Sequence, residues 1–137
     1  MGGNFARTFF LLELFGDDLQ PGAISQILGI SPTKAYTKGE ERPKGSQCYR
    51  TGGWILDSGE ISLSEDDTGE KRLQDWLSLL PGNPAIWKTL QRYEPRIRLV
   101  LYTDQMNADF RLTPVAANEL SIRGLTLFID PYLELDE

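Results

Sequence analysis

Histidine is absent from this chain, and cysteine occurs once, as Cys48. The first absence removes histidine-based triads, histidine metal sites and the commonest acid–base side chain near neutral pH. The second excludes an intramolecular disulfide and points to a reducing, cytoplasmic compartment, because small secreted domains usually carry their cysteines in pairs. Long apolar runs are missing too. The N-terminal run from Phe9 to Phe15 is interrupted by Glu13, too short for a signal-peptide core and far too short to span a bilayer. Basic residues are in deficit, 14 against 20 acidic ones, for a net charge of −6. That balance argues against a general nucleic-acid binder and against binding to anionic membranes, both of which need a lysine and arginine surplus.

What is present is ordinary for a globular protein: 40% hydrophobic and 25% charged residues in a chain of 137. That length fits a single α/β domain over residues 1–137. Such a chain buries roughly two-thirds of its unfolded surface, so no metal or disulfide staple is required, and no cofactor is expected.

The stretch Thr8 to Phe15 (TFFLLELF) is apolar at odd and even positions alike, which predicts a central strand covered on both sides. Gly16-Asp17-Asp18 ends it. Pro21 suits the first helical position, Ile24, Ile27 and Leu28 share a helical face, and Gly29 supplies the stop. Residues 31–53, rich in Pro, Gly, Lys and Glu, read as a loop. Trp54 to Leu56 reads as a second strand, closed by Asp57-Ser58-Gly59. The acidic stretch from Ser64 to Gly69 opens a helix carrying Leu73, Trp76, Leu77 and Leu80, which Pro81-Gly82 breaks. Asn83-Pro84 caps another with Ile86, Trp87, Leu90 and Tyr93 as its buried stripe, ended by Pro95. Ile97 to Tyr102 is a strand, Asp104 to Ala108 a turn and Phe110 to Leu112 a short extended piece. Thr113-Pro114 opens a helix through Leu120, Gly124 stops it, and Leu125 to Ile129 is the last strong strand.

Two segments rhyme. Leu19-Gln20-Pro21 with Ala23, Ile27 and Gly29-Ile30 is echoed by Leu112-Thr113-Pro114 with Ala116, Leu120 and Gly124-Leu125. Each follows a strong strand, opens with proline and closes with glycine. The expected fold class is therefore α+β: a ferredoxin-like two-layer sandwich of two strand–helix–strand halves with an inserted helical pair, another mixed α/β sheet being the alternative.

The run Phe15-Gly16-Asp17-Asp18-Leu19, then Leu28-Gly29-Ile30-Ser31-Pro32-Thr33, Lys38-Gly39-Glu40 and Gly53-Trp54-Ile55-Leu56, resembles a bacterial family catalogued as domain of unknown function number 4279. The closing Leu127-Phe128-Ile129-Asp130-Pro131-Tyr132 is similar to that family's end. The resemblance covers nearly the whole chain and implies a bacterial origin and one α/β domain, with no assigned activity.

Several residues are candidates for chemistry. Asp17 and Asp18 follow the first strand, where open α/β sheets place ligands, and two carboxylates are partial equipment for a divalent cation. A turn and helix entry is the plainer reading, since adjacent residues rarely point at one ion. Asp104 and Asp109 hold the matching place in the second half. In a ferredoxin-like sheet the two strands run antiparallel, so these loops lie roughly 20 Å apart, too far for a carboxylate pair. Cys48, with Lys44 and Arg50 nearby, has local positive charge to lower its pKa but no histidine to act as base. The stretch from Lys34 to Arg50 is the one locally basic region: Lys34, Lys38, Arg42, Lys44 and Arg50, with Tyr36 and Tyr49 interleaved. It reads equally as an anion- or partner-binding loop and as a solvated connection. Trp54, Trp76 and Trp87 read as core. Gly2-Gly3 and Gly52-Gly53 lack the Lys-Ser/Thr ending of a phosphate loop.

The expectation that follows is a non-catalytic protein-interaction module, of the kind to which toxin-neutralising immunity proteins belong. Its acidic surface would meet a basic protein partner, or the chain would associate with itself. The alternative is a small-ligand or metal-binding sensor or enzyme, using the acidic turn at Asp17 and Asp18 and the basic loop near Lys38 and Arg50.

Overall fold

The computed structural model describes residues 7–45, 47–63, 68–103 and 110–134. Among these, four α-helices and six strands form a mixed α+β fold with one open sheet. β1 (Arg7–Gly16) is central, as its apolar sequence predicts. It pairs antiparallel with β3 (Gly52–Asp57) on one edge and with β5 (Arg96–Thr103) on the other. Its first residues also pair with the two-residue β4 (Ile61–Ser62). β2 (Lys34–Tyr36) lies antiparallel outside β3, and β6 (Thr126–Leu133) lies parallel outside β5, giving the path β2-β3-β1-β5-β6.

The helices begin and end where proline, capping residues and glycine place them. α1 (Pro21–Leu28) has proline in its first turn and closes on Gly29 at φ 70°, a left-handed conformation that glycine adopts without strain. α2 (Gly69–Leu77) starts at Thr68, whose hydroxyl accepts from the Lys71 amide. α3 (Pro84–Lys88) starts at Asn83, whose side chain accepts from the Ala85 amide. α4 (Pro114–Ile122) repeats the arrangement with Thr113 and Ala116. The stripe expected to run on to Tyr93 is split, with α3 ending at Lys88 and a 3-10 turn spanning Gln91–Tyr93. Leu90 and Trp87 are buried all the same.

All four helices lie against one face of the sheet. Phe10, Leu12 and Leu14 of β1, Trp54 of β3 and Ile97, Leu99 and Leu101 of β5 form one cluster with Ile24, Leu28, Leu73, Leu77, Trp87, Leu90 and Leu120 from the helical layer. Trp54 and Trp87 are fully buried, and each places its indole N–H: Trp54 donates to Ser25 Oγ at 3.0 Å and Trp87 to the Pro81 carbonyl at 2.7 Å. Arg123, 3% exposed, ties the end of α2 to α4 by donating to the carbonyls of Leu80, Pro81 and Glu119 and to the Glu119 carboxylate.

Three expectations change. First, β1 is covered by helices on its even-numbered face only. Phe9, Leu11 and Phe15 on the other face are half-buried, under side chains of the neighbouring strands. Second, the 31–53 stretch holds β2, three residues that exist as a strand because β3 offers them a ladder. With β2 outside it, β3 returns antiparallel beside β1. Third, the two rhyming segments are not paired alike: β5 and β6 are parallel neighbours, whereas β3 lies between β1 and β2. Phe110 to Leu112 forms no strand. Ser64 to Asp67 and the expected turn from Asp104 to Ala108, with Asp109, lie outside the described residues.

Candidate functional site

The uncovered face of the sheet is built by strand register. Residues opposite one another across a ladder share a face, so Phe15, Gly53 and Tyr36 form one row, and Glu13, Ile55 and Lys34 the next. On the other side of β1, Glu13 faces Arg96, Leu11 faces Arg98 and then Phe128, Phe9 faces Val100 and then Asp130, and Arg7 faces Tyr102 and then Tyr132. The result is a floor of aromatic rings interleaved with arginines.

Those arginines are already matched in charge. Arg98 donates through Nε to Glu13 at 3.1 Å and through Nη1 to Asp130 at 2.7 Å, and the Asp130 bond, then Glu13, raises its pKa. Arg96 Nε lies 3.4 Å from the same Glu13 oxygen without the alignment of a hydrogen bond, and among the described residues it has no acceptor. Its guanidinium sits over the Phe15 and Phe128 rings at 4.7 and 5.3 Å. Arg7 pairs with Glu60 and Glu134 and lies 4.4 Å over Tyr102. Glu13, which the sequence presents as an interruption in an apolar strand, is 7% exposed and organises this lattice. The alternation Arg96-Ile97-Arg98 opposite it was the available signal for a polar, uncovered face.

At the β2 edge the 37–51 loop rises beside this floor. Tyr36 lies across Gly53, where a methyl group would come within 2.5 Å of its ring, and stacks on Tyr49 at 3.7 Å between centroids with a 7° tilt. Burial, then the neighbouring Tyr49, raises the Tyr36 pKa. Lys34 Nζ is 5.7 and 5.9 Å from the two ring centroids, and the Arg42 guanidinium is 5.1 Å from Tyr49. The interleaving of tyrosines with cations seen in the sequence is thus a real cluster. An isolated bridge between Glu41 and Cys48 closes the loop, and Cys48 is exposed.

The acidic turn meets this loop. Lys38 Nζ donates to Asp17 at 3.2 Å, and this bond, with one from Thr51, lowers the Asp17 pKa. Asp18 pairs instead with Arg92. The two carboxylates therefore diverge, each toward a cation. No group of three or more His, Cys, Asp or Glu side chains placed to hold a metal ion occurs among the described residues. Lys34, Arg42 and Arg50 form no ion pair among the described residues. β1 and β5 are antiparallel, with Tyr102 opposite Arg7, so the ends that follow them leave the sheet in opposite directions. No described helix is long and apolar enough to cross a membrane.

A helix-backed sheet with one uncovered, arginine- and aromatic-rich face and a loop at its edge defines an open-faced α+β domain. The chain belongs to the family described as Domain of unknown function (DUF4279), whose model matches residues 7–134. No curated protein and no solved structure matches it.

Proposed function

We propose that this protein is a non-catalytic interaction module that receives a basic protein partner on the uncovered face of its sheet. The observation that carries this reading is the bare floor itself. Phe128 and Tyr132 are 39% and 51% exposed on β6, beside Arg96, Arg98 and Tyr102. Arginine and aromatic residues are the types that dominate binding energy at protein interfaces, and a broad, shallow surface suits a protein better than a small molecule. The net charge of −6 steers a basic partner toward the domain. The path β2-β3-β1-β5, with helices on one face, supports reading the core as a ferredoxin-like unit to which α4 and β6 are appended.

The test is capture of the tagged protein with its partner from a lysate of the organism that encodes it, at low and high salt. It is run alongside Phe128→Asp/Tyr132→Asp on the floor and Leu79→Asp on the helical side. The expected result is one near-stoichiometric basic protein, lost in high salt and in the floor variant but kept by Leu79→Asp. Retention by the floor variant rejects this face as the interface. Sedimentation of the purified chain as a dimer, broken by the same floor variant, assigns the face to a second copy instead.

A further inference from the structure

The tyrosine-lined loop carries a second inference, which rests on the β2 edge and its loop and not on Phe128 and Tyr132 of β6. Elsewhere in the chain the cations that shape the fold are neutralised: Arg7 by Glu60 and Glu134, Lys38 by Asp17, Arg92 by Asp18, Arg98 by Glu13 and Asp130, and Arg123 by Glu119. Lys34 and Arg42 are held differently. The Arg42 guanidinium lies 5.1 Å from the Tyr49 ring, Lys34 Nζ sits at the edge of the tyrosine stack, 5.7 and 5.9 Å from its two centroids, and no described carboxylate pairs with either, although Glu40 and Glu41 belong to the same loop. A cation that rests beside aromatic rings and has no carboxylate partner keeps its charge for another partner.

Between these cations lies a groove of about 460 Å³, lined by Lys34, Arg42, Pro43, Gly45, Gln47 and Tyr49. An adjoining hollow of about 210 Å³ shares Arg42, Gln47 and Tyr49 and adds Arg50. Two cations and an amide side chain thus line a half-open groove of small-molecule size, with a third cation in the hollow beside it, in a chain that is otherwise acidic. The net charge of −6 repels a long polyanion, while a compact anion sees chiefly the local cations, because at physiological salt charges beyond about 8 Å are screened.

We propose that this groove binds a small phosphorylated molecule, its phosphate held between Lys34 and Arg42 and its organic part lying toward Pro43 and the edge of the stacked tyrosines. A phosphate matches the guanidinium fork of Arg42, and its double charge answers two cations where a carboxylate answers one. Arg50 lines the adjoining hollow together with Arg42, in place for a second phosphate or another anionic group.

The experiment is a calorimetric and NMR titration of the full chain with phenyl phosphate, inorganic phosphate and a single-stranded oligonucleotide at low ionic strength. It includes Lys34→Gln, Arg42→Gln and, as a charge-matched control outside the groove, Lys71→Gln. Circular dichroism establishes that each variant is folded. Saturable binding of phenyl phosphate is expected, weakened about 10- to 100-fold in Lys34→Gln and Arg42→Gln and unchanged in Lys71→Gln. Weaker binding of inorganic phosphate identifies an organic ester as the ligand class; equal binding identifies the phosphate group itself, and both support the site. Equal weakening by all three variants, absence of saturable binding, or tighter binding of the oligonucleotide than of phenyl phosphate overturns the proposal.

Discussion

Replacing Gly53 with alanine tests whether the space above that residue belongs to Tyr36. The backbone tolerates the change, since Gly53 is not in the left-handed region, but the new methyl would meet Tyr36 Cζ at 2.5 Å and its hydroxyl at 2.6 Å. The ring must leave. Its stack on Tyr49 is worth about 0.5–1.5 kcal/mol. Returning roughly 50 Å² of ring to water costs a further ~1.3 kcal/mol at 25 cal/mol per Å². Against this, alanine is favoured over glycine within a strand by about 0.5–1 kcal/mol. The expected net loss is therefore about 1–2 kcal/mol, a fall in Tm of roughly 5 °C for a chain of this size. The decisive comparison is with Tyr36→Ala. In that background the clash is gone, and Gly53→Ala should stabilise by about 0.5–1 kcal/mol, giving a coupling of ~2–3 kcal/mol between the two positions. Urea denaturation of the wild type, two single variants and double variant measures it, with near-ultraviolet circular dichroism following the tyrosine stack. An equal cost in both backgrounds would refute the reasoning, because the methyl would then be meeting something other than the ring.

Arg123→Ala should destabilise by about 2–4 kcal/mol, since it strands the Leu80 carbonyl, unpairs Glu119 and leaves the Pro81 carbonyl with Trp87 alone. Arg123→Lys should recover less than half of that, because an ammonium cannot reproduce the fork; full recovery in urea melts would contradict the geometry. Ser25→Ala leaves the Trp54 indole N–H without its acceptor and should cost about 1 kcal/mol by the same assay. The Asp17 carboxylate has a lowered pKa in the folded state, chiefly through Lys38. Its contribution is therefore present above the ordinary carboxylate range and lost as pH falls through the folded value. Asp17→Asn should flatten that part of the acid limb in pH-dependent melting, and an unchanged limb would show the pair to be inert.

The punctuation of the fold was legible because it rests on local chemistry. Pro21, Asn83-Pro84 and Thr113-Pro114 open helices, and Gly29 and Gly124 adopt the left-handed conformation just beyond them. The burial of Trp54 and Trp87 followed from their neighbours in the same way. Pairing was less legible. β2 and β4 are three and two residues long, too short for any periodicity, and owe their existence to β3 and β1. The site divides along the same line. The tyrosine–cation interleaving was visible within one loop, whereas Asp18 meets Arg92 and Glu13 meets Arg98 only because the chain returns from far along its length. The apolar odd-numbered positions of β1 implied a covering layer. The arginines that partly serve as one come from β5, where the alternation Arg96-Ile97-Arg98 marks a polar face but not the strand beside which it lies.

The central place of β1 also sets the order in which the protein can be made. The first long strand in the chain needs a partner that arrives very late: 85 residues separate Glu13 from Arg98. At a synthesis rate of about 5–20 residues per second, β1 waits roughly 4–17 s for β5 to appear. During that time one of its edges is unpaired, and Phe10, Leu12 and Leu14 have only the earlier elements for cover. A strand in that condition is a template for any other nascent strand nearby. Folding dominated by such distant pairings is also slow. The exposure of this domain to aggregation is thus greatest on the ribosome, and chaperones that hold apolar segments should matter more to its yield than to its final stability.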